Sequence, residues 1–136
     1  MTALELCLDL SKGYASLIRR LDGRLGSFHG LSFADFAVLR ELEQAEGGRL
    51  RRVDLAERLG LTPSAVTRAL IPLEKIGIVN REPDQRDARV GYASLTRAGE
   101  RLLKDATATA EEACQEVLEL DADRFTGLAQ AIGKVI

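Results

Sequence analysis

Tryptophan is absent, aromatic residues make up 4% of the 136-residue chain, and hydrophobic residues make up 46%. A core with so few rings must be built from Leu, Ile, Val and Ala, which suits helix packing better than a β-sandwich. Two cysteines, Cys7 and Cys114, are too few and too distant in sequence for a disulfide scaffold or a zinc site. No metal or other cofactor is therefore expected. The lone histidine, His29, has no Ser/His/Asp set around it, and there is neither a phosphate-cradling glycine loop nor a metal-ligand cluster. An enzyme is not expected. No apolar run approaches the roughly 18 residues that span a membrane. Glu5 and Asp9 interrupt the opening segment, where a signal peptide would be apolar. The expected location is the cytoplasm, with no membrane partner.

What is present is unevenly charged. The net charge is −2, but residues 49–104 carry 12 Lys/Arg against 7 Asp/Glu, a net of +5, while residues 1–48 and 105–136 are net −2 and −5. A basic middle in an acidic frame suits phosphate binding, in which released counterions drive affinity. An ordinary solvated helical surface is the plainer alternative.

The periodicity is helical at both ends. Cys7, Leu10, Tyr14, Leu17 and Leu21 alternate steps of three and four, which predicts a helix over about Leu4–Leu25 broken by Gly26, His29 and Gly30. Ser32 caps a second helix, with Asp35 three residues on and Phe36, Leu39 and Leu42 inward; Gly47-Gly48 ends it. A short helix over about Arg52–Leu59 follows. Gly60 turns the chain, and Thr62-Pro63 starts another helix that runs to about Ile76 before Gly77. Pro72 removes one helical hydrogen bond and is expected to kink or loosen its last turn. Ile78–Arg81 and Val90–Leu95 read as two strands joined by an exposed loop, Glu82–Arg89. Thr96 caps a long helix to about Leu120 with an apolar seam from Leu103 to Leu120, and Asp121 opens a final helix bearing Phe125, Leu128, Ile132 and Val135. Long seams with little else to bury them imply a second copy of the chain.

The helix pair over 52–76 and the hairpin after it suit a DNA groove and the backbone beside it. A recognition helix sets its N-terminal residues against base edges, here Ser64, Ala65, Thr67 and Arg68. Hydroxyls donate or accept, Ala65 permits close approach or meets a thymine methyl, and Arg68 could read guanine or hold a phosphate. A salt bridge to Glu74 or Asp54 is the alternative for Arg68. Arg86 and Arg89 at the hairpin tip would reach the neighbouring minor groove or its phosphates, unless they only decorate a solvated turn. Asp87 would orient a neighbouring arginine. Arg51 and Arg52 are candidates for backbone contacts.

Leu55-Ala56-Glu57-Arg58-Leu59, Thr67-Arg68, Leu73-Glu74-Lys75, Gly77, the wing Asp84-x-Arg86-Asp87-x-Arg89, Leu95-Thr96 and Gly99 occur in order. In this context the chain resembles the MarR family of bacterial transcriptional regulators over essentially its whole length. The resemblance implies a mainly α fold with a small β-hairpin wing, a winged helix-turn-helix lobe over about 32–100. Helical dimerisation regions would occupy about 1–28 and 100–136. It also implies a homodimer on a pseudo-palindromic operator, Asp84 and Asp87 as wing-orienting residues, and repression relieved by a small aromatic or carboxylate ligand. Tyr14, Arg19, Phe28, His29 and Phe36 could line that ligand's site, although core or loop roles fit them as well. His29, beside glycines, reads as an exposed loop residue.

One branch of the family senses organic hydroperoxides through a first-helix cysteine, and Cys7 lies in a comparable place, with Cys114 able to approach from a partner. The tyrosines that serve that branch correspond here to Leu21 and Phe33, and no cation lies near Cys7 before Lys12. Buried structural thiols are therefore expected. The remaining alternative is a winged-helix module that binds protein and not DNA, against which the basic middle argues.

Overall fold

The computed structural model describes residues 1–87, 90–118 and 132. Among the described residues, five α-helices and three short strands occur in the order α1 (Ala3–His29), α2 (Phe33–Gln44), β1 (Arg49–Arg51), α3 (Arg52–Leu59), α4 (Pro63–Lys75), β2 (Val79–Pro83), β3 (Gly91–Leu95) and α5 (Arg97–Leu118), with a 3-10 turn over Glu46–Gly48 between α2 and β1. The expected final helix over 121–136 and the end of the C-terminal seam lie outside the described residues, as does Arg89.

Local chemistry accounts for the helix limits. Thr2 and Glu5 form a reciprocal capping box at the start of α1, and Ser32 and Asp35 form another at α2. α1 does not break at Gly26. The helix runs on to His29, and the first glycine in the left-handed region is Gly30 (φ 69°), whose N–H closes onto the Gly26 carbonyl at 3.1 Å. The Thr62 hydroxyl accepts the Ala65 N–H at 3.1 Å to begin α4, with Pro63 in its first turn. α4 also passes through Pro72 to Lys75. Pro72 is exposed, so the Arg68 carbonyl that it cannot serve is left on the solvent side.

The hairpin is part of a larger sheet. β1 pairs antiparallel with β3, which pairs antiparallel with β2, giving the order β1-β3-β2 with Leu50 and Arg81 both opposite Ala93. β1 is only three residues long, exposed-buried-exposed, with arginine at both ends. So short a run carries no readable periodicity.

One core joins the end of α1 to the helix-turn-helix. Leu25, Leu39, Leu42, Leu55, Val66, Leu70 and Leu103 are almost completely buried in it, each contributing roughly 1.5–3 kcal/mol of hydrophobic stabilisation. Ala106, Ala110 and Ala113 continue the α5 side, their small side chains letting the helix lie close to its neighbours. The seam from Leu103 to Ala113 is thus covered by this chain's own core. The first half of α1 is not. Leu4, Leu6, Leu8, Leu10 and Tyr14 are exposed, and burial begins at Leu21. At 1.5 Å per residue the 27-residue helix is about 40 Å long, so roughly its first two-thirds stand clear of the lobe. No described helix is long and apolar enough to cross a membrane.

Candidate nucleic-acid interface

α3 and α4 are set by their buried faces. Leu55 and Ala56 on α3 and Val66, Leu70 and Leu73 on α4 point into the core, and Gly60 (φ 66°) makes the turn between them. Helical periodicity then turns Ser64, Thr67, Arg68 and Lys75 away from the core. Ser64, Arg68 and Lys75 are exposed, whereas Ala65 and Thr67 are half-buried. The Thr67 hydroxyl donates to the Pro63 carbonyl at 3.1 Å, which leaves its oxygen free to accept. The ion pairs among the described residues are Arg24–Glu116, Arg49–Glu82 and Arg58–Glu41. Arg68 is in none of them, and the alternative bridge to Glu74 or Asp54 is not formed.

The wing is organised by Asp84. Its Oδ1 accepts the backbone N–H of Arg86 at 2.7 Å and that of Asp87 at 3.4 Å, fixing the turn from which the exposed Arg86 side chain projects. The Arg86 N–H is the chief reason the Asp84 carboxyl is held below the ordinary aspartate range. A second, longer link runs through Tyr92. Its hydroxyl donates to Asp84 Oδ2 at 3.4 Å and accepts Arg51 Nε at 3.4 Å. The Arg49 guanidinium lies 4.2 Å from the Tyr92 ring centroid, a cation–π contact, and also pairs with Glu82 at 3.7 Å. Glu82 is steadied by the Ser94 hydroxyl, which donates to it at 3.0 Å. Arg49, Arg51, Asp84, Arg86 and Tyr92 line a concavity of about 800 Å³ at the root of the wing.

Arg51 ends β1 and occupies the N-cap position of α3 without a side-chain capping bond, and Arg52 is the first residue of α3, so both lie between wing and helix pair. Sequence reasoning missed Arg49 and Tyr92. Their signal is the register that puts Tyr92 opposite Arg51, which is visible only once β1 is known to be a strand.

The residues suggested for a ligand site do not converge. Tyr14 (66% exposed) and Phe28 (69%) stand in solvent, Arg19 is exposed, and Phe36 is buried and stacked on Phe33 at 6.1 Å. His29 is not a loop residue. It ends α1, half-buried, with Nε2 2.7 Å from the Thr109 hydroxyl on α5. Of the five, Phe36 alone lines a groove of about 410 Å³ between α2 and α5, with Phe33, Arg40, Thr107 and Cys114. Both cysteines are free, and Cys7 is exposed rather than buried because no described residue covers the turn of α1 that carries it. Cys114 is half-buried, and that burial pushes its thiol above the ordinary cysteine pKa.

The MarR family model matches residues 31–90, which are the helix-turn-helix and most of the wing. The chain is similar to the HTH-type transcriptional regulator MhqR of Bacillus subtilis, 28% identical over 103 residues that cover 76% of this chain and 69% of that protein. Its fold is similar to a MarR family transcriptional regulator from Streptomyces coelicolor in complex with DNA, at 27% identity and a TM-score of 0.86, over 99% of this chain and 87% of the other. A mutant MarR from E. coli complexed with operator DNA is similar at 25% identity and a TM-score of 0.82, over 97% and 94% of the two chains.

Proposed function

We propose, from the premise that this chain belongs to the MarR family of DNA-binding transcriptional regulators, that it is a dimeric repressor of a pseudo-palindromic operator, relieved by a small aromatic or carboxylate ligand. Such a protein is a transcription regulator and not an enzyme. The observation that carries the reading is the division of α4. One face is locked into the core by Val66, Leu70 and Leu73, while the other presents Ser64, Thr67 and an unpaired Arg68 beside an arginine-tipped wing.

In this reading Ser64, Ala65, Thr67 and Arg68 meet base edges in the major groove. Arg86 and Arg89 enter the flanking minor groove or grip its phosphates, and Arg51 and Arg52 hold backbone between the two. Asp84, by fixing the turn, aims Arg86; Asp87 assists. The lobe over about 32–100 reads DNA, and the helices on either side of it pair with a second copy in the cytoplasm. The exposed Leu4, Leu6, Leu8, Leu10 and Tyr14 of α1 supply the apolar surface for that pairing. Two lobes so joined would meet half-sites about one helical turn, ~34 Å, apart.

Relief by ligand is supported by the α2–α5 groove, whose Phe33 and Phe36 suit a ring and whose Arg40 suits a carboxylate. A ligand wedged there would alter the angle between lobe and dimer helices, and so the spacing of the two recognition helices. Redox control through Cys7 and Cys114 is the weaker reading, because Cys114 is disfavoured as a thiolate.

The test is binding to upstream DNA across a salt series, with Arg86→Ala/Arg89→Ala alongside. Salt-sensitive binding with a shallower salt slope in the variant is expected. Unchanged affinity and slope in the variant would refute the wing's role.

A further inference from the structure

We propose that Ile71 is a base-reading residue that recognises the methyl group of a thymine in the major groove. The proposal rests on the reading of α4 as the recognition helix.

Ser64, Thr67, Arg68, Ile71 and Lys75 recur at helical spacing and share one face of α4, opposite Val66, Leu70 and Leu73. Ile71 lies at the middle of that face and is 43% exposed. Arg68 precedes it by three residues and Lys75 follows by four, both exposed. A branched aliphatic side chain between two cations gains by being taken out of water, and nothing among the described residues covers it. Whatever buries it must offer negative charge on either side and an apolar point in the centre. The major groove does both. Phosphates flank it, and of the four bases only thymine presents an apolar group there, its C5 methyl.

The spacing suits reading of a separate base pair, because Ser64 and Ile71 are seven residues apart, about 10.5 Å along the helix axis, which exceeds the ~3.4 Å rise of one base step. Ile71 would therefore read beyond the base pairs that Ser64 and Thr67 meet, and would do so without hydrogen bonding. Burying one methyl against another apolar group is worth about 4-fold in affinity.

The test uses the full chain and a duplex selected from a random library by the wild-type protein. Each dT is replaced singly by dU, which removes the methyl and nothing else. Wild type is expected to lose about 4-fold at one position per half-site. Ile71→Ala, whose fold is checked by circular dichroism, is expected to bind the parent duplex more weakly and to show no further loss at that position. Ile71→Val should retain part of the sensitivity. Indifference of the wild type to every dT→dU change would overturn the proposal. So would a methyl sensitivity that survives Ile71→Ala and disappears in Ala65→Gly. Failure to select any duplex would instead remove the DNA-binding reading on which the proposal stands, and the proposal with it.

Discussion

Gly99 is where a single methyl group should do the most damage. It sits in the first turn of α5, where its N–H donates to the Thr96 hydroxyl at 3.0 Å. The same Thr96 binds the chain just after α4: its N–H donates to the Ile78 carbonyl at 3.0 Å and its hydroxyl to the Gly77 carbonyl at 2.6 Å. A Cβ at Gly99 would stand 3.1 Å from the Ile78 carbonyl carbon, 3.2 Å from Ile78 Cγ2, and closer still to the carbonyl oxygen. Ordinary carbon contacts are about 3.5–4.0 Å, and this carbonyl cannot swing away without breaking the Thr96 bond. Helix propensity alone would make Gly99→Ala stabilising by about 1 kcal/mol. Against that stand overpacking of roughly 1–3 kcal/mol and loss of one or more hydrogen bonds at about 1 kcal/mol each. The clash wins, leaving a net destabilisation of about 2 kcal/mol. At roughly 3–5 °C per kcal/mol for a domain of this size, Tm should fall by about 6–10 °C at fixed protein concentration. Gly23→Ala is the control, since a Cβ there meets nothing within 4 Å and should raise stability by about 0.5–1 kcal/mol. A Gly99→Ala protein as stable as wild type, or more so, in thermal denaturation would mean that the Ile78 carbonyl accommodates the methyl after all.

Tyr92→Phe keeps the ring beneath Arg49 and removes the hydroxyl between Asp84 and Arg51. It should weaken DNA binding by a few fold and loosen wing-tip amides in hydrogen exchange while leaving Tm within about 2 °C, since the two hydrogen bonds lost are both long, at 3.4 Å, and together contribute well under about 1 kcal/mol. The Asp84 pKa is lowered in the folded chain, so its contribution is complete above the ordinary aspartate pKa and is lost as pH falls through the depressed folded value. Amide protection at Arg86 and Asp87 should accordingly persist at pH 5 and fade on acidification below the ordinary aspartate range, and Asp84→Asn should make it pH-independent there. Cys114, its thiol pushed up by burial, should react more slowly with iodoacetamide at neutral pH than the exposed Cys7. Mass spectrometry of the alkylated peptides gives the order, and faster reaction at Cys114 would contradict it.

The helix-turn-helix was legible in the sequence because its signals are local. Thr62-Pro63, Gly60 and the spacing of Val66, Leu70 and Leu73 each have one structural meaning, and the expected Arg52–Leu59 helix is the one observed. The hairpin was legible for the same reason, although its strands begin one residue later than expected. β1 was not. A three-residue strand exists only because β3 offers it a partner 40-odd residues away, so Arg49 and the Tyr92 platform were invisible with it. Gly26 misleads in the opposite sense, since it reads as a breaker where the helix in fact runs on to His29. The two outer seams looked alike in sequence. Only packing separates them: Leu103–Ala113 closes the chain's own core, while Leu4–Tyr14 is left open.

Whether two α4 helices lie on one duplex is read out by dimethyl sulfate protection of the selected operator by the purified protein, since the reagent attacks guanine N7 in the major groove and adenine N3 in the minor groove. Two protected major-groove segments about 10 base pairs apart, related by the dyad of the sequence, are expected, with protection in the flanking minor grooves that Arg86→Ala/Arg89→Ala removes. A single protected segment, or protection spread evenly along the duplex with no dependence on those arginines, would contradict the placement of two α4 helices on one duplex.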